Sequence, residues 1–382
     1  MTYKLLNAIF LVAGTAIGAG LIALPITAIN LGTHLSNIIM LLMASVAYHS
    51  ANMLIRLDAS IKQPLSIIEL SKQISGNIAF TISLISFYLL SCALLTVYFC
   101  GMEDCLKTFL QIDRKLIIAV CGISLWITLN LTNNLFAHIN SLLFTILLIV
   151  IISIVLQICC FHPTNLSIMP IRQSRELLTF LPIAFTSFGI QNICAYLYEY
   201  LQQDRKQIKI ALAVGIAIPT IVYIMWILCI FTSINAYGNY NLLKQLQDHM
   251  LSAGQLVDFL CRCSKHTYLE YFFKSLTITA IATSAIGIGL GLLHSIQSSL
   301  IPSKTLASAI ICLIPVTCAI CIPNAFIRIL SLGGVIAVVW VIFMPYYLIK
   351  KQQQHTTLGD KICLILGIMI VLCECLTYLI SV

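Results

Sequence analysis

Apolar segments of about twenty residues recur from one end of the chain to the other, and mostly short polar stretches separate them. A helix needs about 20 predominantly apolar residues to cross the hydrocarbon core of a bilayer. By that criterion the sequence predicts about eleven transmembrane helices, called spans 1 to 11 in chain order. They cover residues 5–30, 34–57, 77–102, 115–132, 136–160, 177–200, 208–234, 270–299, 304–322, 325–349 and 361–381.

The composition agrees with a protein whose main solvent is lipid. Hydrophobic residues make up 60% of the 382 residues and charged residues only 9%, whereas soluble domains carry about 25% charged residues. Lys4 before an apolar stretch imitates a signal peptide, but the apolar stretch resumes at Leu21 and further spans follow. We therefore predict an all-α polytopic membrane protein in which residues 1–382 form one transmembrane domain.

Lysine and arginine in the loops indicate the orientation. With the N-terminus inside, eleven of these residues fall on the inner side and six on the outer side, leaving aside the long polar segment 235–269 and Lys274. The positive-inside rule favours this arrangement. The basic residues form no long run and no aromatic-basic stripe, so the expected partner is the lipid bilayer and not a nucleic acid.

Two spans contain residues that a continuous helix avoids. Span 1 carries a glycine-rich run at residues 13–20 with Pro25 after it, and span 6 carries Pro182 before a polar run at residues 186–192. Unwound backbone in hydrocarbon is costly unless it lines a cavity or binds something polar. Close helix packing is the alternative interpretation, because Gly14 and Gly18 form a small-residue packing motif.

The two interrupted spans are five helices apart. That spacing is typical of an inverted five-plus-five repeat, as in the leucine-transporter fold, with its substrate site between two discontinuous helices. The sequence therefore predicts a first repeat over about 5–160 and a second over about 177–349. Residues 361–381 then form an extra helix.

The residues around these breaks resemble those of a known family. Span 1 contains the run Gly14-Thr15-Ala16-Ile17-Gly18-Ala19-Gly20-Leu21-Ile22-Ala23-Leu24-Pro25, which is similar to the opening signature of the bacterial aromatic amino acid permeases. Those proteins belong to the hydroxy and aromatic amino acid permease family. Four further segments of this chain resemble spans 6 and 7 of the same family. They are Ser187-Phe188-Gly189, Tyr200-Leu201, Asp204-Arg205-Lys206 and the segment from Gly215 through Pro219 to Trp226.

The resemblance covers nearly the whole chain and implies both a fold and an activity. It implies the leucine-transporter fold and a secondary transporter that imports an aromatic amino acid by cation symport, with tyrosine favoured over tryptophan and phenylalanine. It also implies a multi-pass protein of the bacterial cytoplasmic (inner) membrane. No cofactor is expected beyond a coupling ion, H⁺ or Na⁺.

The substrate site is predicted between the two breaks. A half-helix N-terminus binds anions, so we expect backbone N–H groups near Ala19 and Gly20 to bind the substrate carboxylate. The substrate's ring needs aromatic partners in an apolar pocket. The predicted substrate-binding residues are Gly14, Thr15, Gly18, Ala19, Gly20, Tyr88, Phe185, Ser187, Phe188 and Gly189.

A cation site is expected where span 8 meets span 1. Similarity to sodium-driven members of the superfamily implies that carbonyls of Gly14, Ile17 and Ala280 form an oxygen cage with the hydroxyls of Thr283 and Ser284. Resemblance to the aromatic permeases favours proton symport instead. Some proton-coupled relatives place a span 5 lysine in this cage, and residues 136–160 contain none. A proton route then needs another titrating group, with His49, His138 or His294 as candidates.

Three alternatives remain at this point: a transporter of another neutral amino acid such as serine or threonine, a membrane enzyme, and a channel. The eight histidines are scattered singly, which argues against an enzyme, and Gly287-x-Gly289-x-Gly291 inside span 8 indicates close helix packing. Ionisable residues inside spans are functional candidates. They are His49, Asp58, Glu199, His294, Arg328 and Glu374, the last predicted to serve packing or oligomer contacts.

Overall fold

A computed structural model gives the fold of the chain. The residues that the structure describes are 3–18, 20–61, 66–107, 112–131, 139, 141–153, 169–171, 176–237, 267–322 and 326–381.

Throughout these ranges the regular structure is helical and no strand occurs. This confirms the predicted all-α polytopic class. The α-helices are Tyr3–Ala16, Gly20–Ala28, Thr33–Ile61, Ile67–Ser75, Asn77–Lys107, Arg114–Asn130, Ser141–Ser153, Leu177–Thr186, Cys194–Tyr200, Arg205–Tyr237, Thr267–Ser299, Lys304–Cys321, Phe326–Val338, Met344–Lys351 and Leu358–Ser381, with a 3₁₀ turn at Gln191–Ile193 and a π-helical segment at Val339–Phe343.

Seven helices in the described part of the chain are long and apolar enough to cross a membrane, and the bent pair at the N-terminus makes eight if it is one span. Each of the eleven predicted spans contains a described helix. The helices of spans 4 and 5, Arg114–Asn130 and Ser141–Ser153, are shorter than 18 residues as described. The count of eleven therefore stays a prediction.

Burial separates central from peripheral helices. In spans 8 and 6 the most apolar stretch is 83% and 78% buried, whereas in span 9 it is only 33% buried. Large aliphatic side chains such as Ile78, Ile221 and Leu313 point outward. Apolar side chains on the outside are stable only in lipid, so the peripheral helices carry the membrane-facing surface and spans 6 and 8 lie at the centre.

Two features between and within the spans were not predicted. A short helix, Ile67–Ser75, follows span 2 and begins with a capping box, in which the Ser66 hydroxyl accepts from the N–H of Glu69 and the Glu69 carboxylate accepts from the N–H of Ser66. Span 10 is not uniform, because its middle is a π-helical segment containing the buried Trp340. Such segments are frequent at functional sites.

Candidate functional site

Span 1 is interrupted at the position that its glycines indicate. The helices Tyr3–Ala16 and Gly20–Ala28 are bent by 46° with respect to each other. The first closes with the N–H of Ile17 donating to the carbonyl of Ala13 at 2.9 Å, and Leu21 donates to Gly18 at 3.0 Å. Ala19 lies outside the described residues. Its predicted contact with the substrate carboxylate stays a prediction.

Span 6 is interrupted in the same way. Helix Leu177–Thr186 ends before Ser187, and the helical course resumes with the 3₁₀ turn Gln191–Ile193. The hydroxyls of Thr186 and Ser187 donate back to the carbonyls of Pro182 and Ile183, at 2.7 and 2.8 Å. The N–H groups of Phe188 and Gly189 donate to the carbonyls of Phe185 and Thr186, both at 3.1 Å, and so satisfy carbonyls at the end of the first half-helix, as a buried helix terminus requires.

The two breaks lie directly against each other. A Cβ on Gly20 would stand 2.6 Å from the Ser187 Oγ and 2.7 Å from the Tyr223 Oη. Contacts below about 3 Å are not compatible with a real side chain there, so only glycine allows the second half of span 1 to approach the span 6 break this closely. The predicted residues Gly20 and Ser187 are thus neighbours.

Span 7 supplies the hydroxyl that joins the two breaks. The buried Tyr223 donates to the carbonyl of Ala16 at 2.6 Å, and its Oη lies 3.2 Å from the carbonyl of Ser187. A phenolic hydroxyl donates one hydrogen bond, so Tyr223 satisfies one of these two carbonyls at a time, and the two belong to the two different breaks.

Trp226 extends this contact by one helical turn. Its indole N–H donates to the carbonyl of Leu21 at 2.6 Å. Sequence reasoning missed both span 7 residues as site residues, although the resembled segment ends at Trp226. The available signal was their spacing, since residues three apart lie on the same face of a helix.

The predicted cation cage brings span 8 onto the span 1 break. The Ser284 Oγ lies 3.2, 3.1 and 2.9 Å from the carbonyl oxygens of Gly14, Thr15 and Ile17. One hydroxyl has a single proton, so it can satisfy only one of the three carbonyls at a time. A Cβ on Gly18 would overlap the Ser284 side chain, so glycine is required here too.

The other predicted cage residues lie beside this cluster. Thr283 donates to the carbonyls of Thr279 and Ala280 on its own helix, both at 3.0 Å, and its Cβ would be 3.7 Å from a Cβ on Gly14. From span 5 the ring of the buried Phe144 approaches Gly14. The Tyr98 hydroxyl lies close by, 3.4 Å from a Cβ placed on Gly18. Gly14, Ile17 and Ser284 are thus assembled, whereas Thr283 and Ala280 are paired with each other.

The three predicted aromatic residues differ in their surroundings. Phe188 is buried and stands edge-on to Tyr223, with ring centroids 5.7 Å apart at 90°. Phe185 is buried one turn earlier. Tyr88 is only partly buried and stands edge-on to Phe87 at 5.9 Å. Of the three, the structure brings Phe188 to the junction of the breaks. Their roles in substrate selection stay predictions.

The remaining glycines and the threonine of the site allow close packing. A Cβ on Gly287 would overlap the Thr15 hydroxyl, which itself donates to the carbonyl of Leu11 at 2.7 Å. A Cβ on Gly291 would stand 2.5 Å from the carbonyl oxygen of Asn192. This confirms that the span 8 glycines serve close packing, and it shows that they bring span 8 onto both breaks. Gly189 donates to the carbonyl of Thr186 at 3.1 Å.

The ionisable candidates are spread over the protein. Glu199 and Arg328 are exposed. The ring of His49 lies against Gly359 of span 11. Glu374 is buried and accepts a hydrogen bond from Ser331 at 2.7 Å, which joins span 11 to span 10. His138 and the side chain of Asp58 lie outside what the structure describes.

Together these features define a class of protein: a polytopic, all-helical membrane protein built around two interrupted helices that meet inside it. The sequence comparison gives the family. Residues 1–380 match the sequence model of the tryptophan/tyrosine permease family, and the chain belongs to that family. It is therefore an integral membrane protein. Its family consists of bacterial amino acid permeases, which are transporters and not enzymes. The expected resemblance to aromatic permeases is confirmed.

Two relatives match most of the chain, and a third matches about half of it. It is 26% identical to tyrosine-specific transport system 1 of Haemophilus influenzae, over 96% of this chain and 95% of that protein. It is 22% identical to glutamine transporter 2 of Aliivibrio fischeri, over 94% and 91%. The low affinity tryptophan permease of Proteus vulgaris is 29% identical over 48% of this chain and 44% of its own length.

Proposed function

We propose that the protein imports an aromatic amino acid, with tyrosine favoured over tryptophan and phenylalanine, across the bacterial inner membrane by cation symport. The N-terminus is cytoplasmic in this proposal. Support comes from membership of the tryptophan/tyrosine permease family and from the similarity to a tyrosine-specific transport system over nearly the full length of both chains.

One observation carries the mechanism. The Tyr223 hydroxyl contacts the carbonyls of Ala16 and Ser187, which belong to the two different breaks. Alternating access requires the half-helices on either side of a central site to move relative to each other. Because Tyr223 contacts both breaks, its hydrogen bonds form and break with that motion.

The proposed architecture has eleven spans with an inverted five-plus-five repeat. Its support is the position of the breaks in spans 1 and 6, five helices apart, and the helix that is described in each predicted span. Repeat one covers about 5–160, repeat two covers about 177–349, and span 11 adds the contact of Glu374 with Ser331.

The substrate site of the proposal lies where Gly20 meets Ser187. The helix Gly20–Ala28 begins there, and its first N–H groups suit the substrate carboxylate. The Phe188 ring, held edge-on to Tyr223, supplies an aromatic face for the substrate ring. The ring of a tyrosine or tryptophan substrate gains from an edge-on contact of this kind.

The coupling ion is held by the cage around Ser284 in this proposal. Three carbonyl oxygens converge on one hydroxyl, and converging backbone oxygens at an unwound helix coordinate monovalent cations in transporters of this kind. The ring of Phe144, from span 5, lies against Gly14. The absence of a lysine from residues 136–160 favours sodium, whereas the family resemblance favours the proton.

Reconstitution into proteoliposomes tests the function. Uptake of labelled tyrosine, tryptophan, phenylalanine, serine, threonine and glutamine is measured with an imposed sodium gradient, with an imposed pH gradient, and with neither. We expect concentrative uptake of an aromatic amino acid that requires one of the gradients. Uptake that only equilibrates across the membrane would exclude symport, and transport of no amino acid would exclude the proposal.

A second candidate substrate follows from one comparison. The similarity to a glutamine transporter over 94% of the chain favours a transporter of a neutral polar amino acid as the alternative. Concentrative uptake of glutamine, serine or threonine that tyrosine does not inhibit would select this alternative. Inhibition of that uptake by a low concentration of tyrosine would instead favour an aromatic amino acid as the substrate.

A further inference from the structure

A small buried cavity lies beyond the span 6 break, toward the side of the membrane on which the chain begins. Its lining includes Leu54 near the end of span 2, Ser66 before the short helix, and Phe87 in the first half of span 3. In the proposed orientation this is the cytoplasmic side. The cavity volume is about 20 Å³, which suits one water molecule and is far too small for an amino acid.

Three nitrogen atoms in the cavity lining have no hydrogen-bond partner. They are the Asn192 Nδ2, the His294 Nε2 and the Trp340 Nε1. Asn192 is 7% exposed and Trp340 is 1% exposed, and His294 is half-buried with its Nε2 atom inaccessible, so water outside the protein does not reach the three nitrogen atoms. A buried donor without a partner costs about 1–3 kcal/mol, so an acceptor that pairs with these groups is stabilised here.

Each of the three side chains is held by a different element. Asn192 lies in the 3₁₀ turn after the span 6 break, and Trp340 lies in the π-helical segment of span 10. The Phe87 ring fixes the indole, edge-on at 5.0 Å. His294 follows Gly291 by three residues, on the face of span 8 that contacts Asn192. Gln191 beside them is already paired, because it donates to Ser50 at 2.9 Å.

The chemistry of the lining points to an acceptor ligand with negative charge. The amide and indole nitrogens are donors only, and the imidazole nitrogen is a donor in one tautomer and in the charged form. Among the described residues that line the cavity none is an aspartate, glutamate, lysine or arginine. Several N–H donors without a competing carboxylate suit a carboxylate oxygen.

We infer that Asn192, His294 and Trp340 form a second, inner binding station for the carboxylate of the transported amino acid, occupied after the substrate leaves the junction of the two breaks. This inference rests on the proposed function. In the conformation described the cavity has room for water only, so the carboxylate enters when the second half of span 6 moves.

Transport measured from each side of the membrane tests the inner station. Labelled tyrosine is supplied to right-side-out vesicles and to inverted vesicles that contain Trp340→Phe, Asn192→Ala or His294→Gln. Loss of one charge-assisted hydrogen bond weakens binding about tenfold or more. We therefore expect the half-saturating tyrosine concentration in inverted vesicles to rise about tenfold, while that in right-side-out vesicles stays within about twofold.

Trp126→Phe is the control, because Trp126 is partly buried, also has an inaccessible indole nitrogen without a partner, and lies in span 4, away from the cavity. Trp340→Phe keeps the ring, so its thermal unfolding temperature should match that of the control. Equal shifts on both sides, or no shift on either side, would overturn the inner station. Absence of tyrosine transport by the unmodified protein would overturn the proposed function itself.

Discussion

The Ser284 Oγ lies 2.9 Å from the carbonyl oxygen of Ile17, although 267 positions separate the two residues in the chain. This contact joins span 8 to the unwound part of span 1. It also places a hydroxyl among carbonyls that a continuous helix would have satisfied internally.

Removal of that hydroxyl should weaken ion coupling. We expect Ser284→Ala to raise the cation concentration that half-activates tyrosine uptake about tenfold, since a cation ligand is lost from a buried site. Tyrosine uptake measured over a range of sodium concentrations, and separately over a range of pH values, identifies the ion. Thr128→Ala, which removes an exposed hydroxyl bonded to its own helix, is the control. If Ser284→Ala combined with Thr283→Ala left both titrations unchanged, the cage would have no role in coupling.

Loss of the Tyr223 hydroxyl should loosen the junction of the two breaks. Tyr223→Phe keeps the ring contact with Phe188 but removes the donor to Ala16, a hydrogen bond worth about 1 kcal/mol. We expect the conformation in which both breaks are packed together to be less populated. The maximal rate of tyrosine exchange should therefore change more than the expression level of the protein. Counterflow of labelled tyrosine measures this rate. An exchange rate equal to that of the unmodified protein would contradict the role given to Tyr223.

A methyl group at Gly20 should abolish transport. The added Cβ would stand 2.6 Å from the Ser187 Oγ, and the backbone on both sides belongs to the breaks, so relief requires moving them apart. Gly289→Ala is the control, since its Cβ would meet the end of the flexible Leu129 side chain at 3.3 Å. We expect Gly20→Ala to insert into the membrane normally and to bind no tyrosine. Normal uptake would remove this junction from the substrate site.

Phe188 should set the preference for aromatic substrates. We expect Phe188→Ala to reduce tyrosine affinity by about 1–3 kcal/mol, the scale of lost aromatic contact and burial. Phe80→Ala, at a partly buried ring near Lys72, is the control. Competition of unlabelled tyrosine against a labelled substrate measures the affinity. Unchanged competition in Phe188→Ala, Phe185→Ala and Tyr88→Ala would place the pocket elsewhere.

Asp204 should make the loop before span 7 sensitive to acid. Its carboxylate accepts from the side chain and backbone of Gln207 and from the N–H of Lys206, and these hydrogen bonds lower the pKa of Asp204. A lowered folded-state pKa means that the contribution to stability is complete above the ordinary pKa of about 4 and is lost as the pH falls below it. The protection of the first turn of Arg205–Tyr237 against hydrogen exchange, corrected for the intrinsic exchange rate at each pH, should therefore fall at acidic pH, and Asp204→Ala should remove this pH dependence.

The breaks were predictable from sequence because their causes are local. Glycines between Gly14 and Gly20 weaken the helix by their own backbone freedom, and Pro182 removes a backbone donor wherever the chain places it. Ser284 was also predicted, because its position in span 8 matches that of a hydroxyl ligand in the sodium-driven members of the superfamily. The apolar segments, their order and the family resemblance likewise depend on residue types read one after another.

The residues that complete the site were decided by tertiary packing. Tyr223 and Trp226 look like ordinary aromatic residues of an apolar helix, and periodicity does not show whether such a face contacts lipid or a break. The nitrogen atoms of Asn192, His294 and Trp340 share one cavity although they come from three spans, and the π-helical turn that carries Trp340 has no signature among its apolar neighbours. Only the approach of distant helices, set by glycines such as Gly291, determines which polar groups meet inside the membrane, because each buried group must find its partner across the packed interfaces.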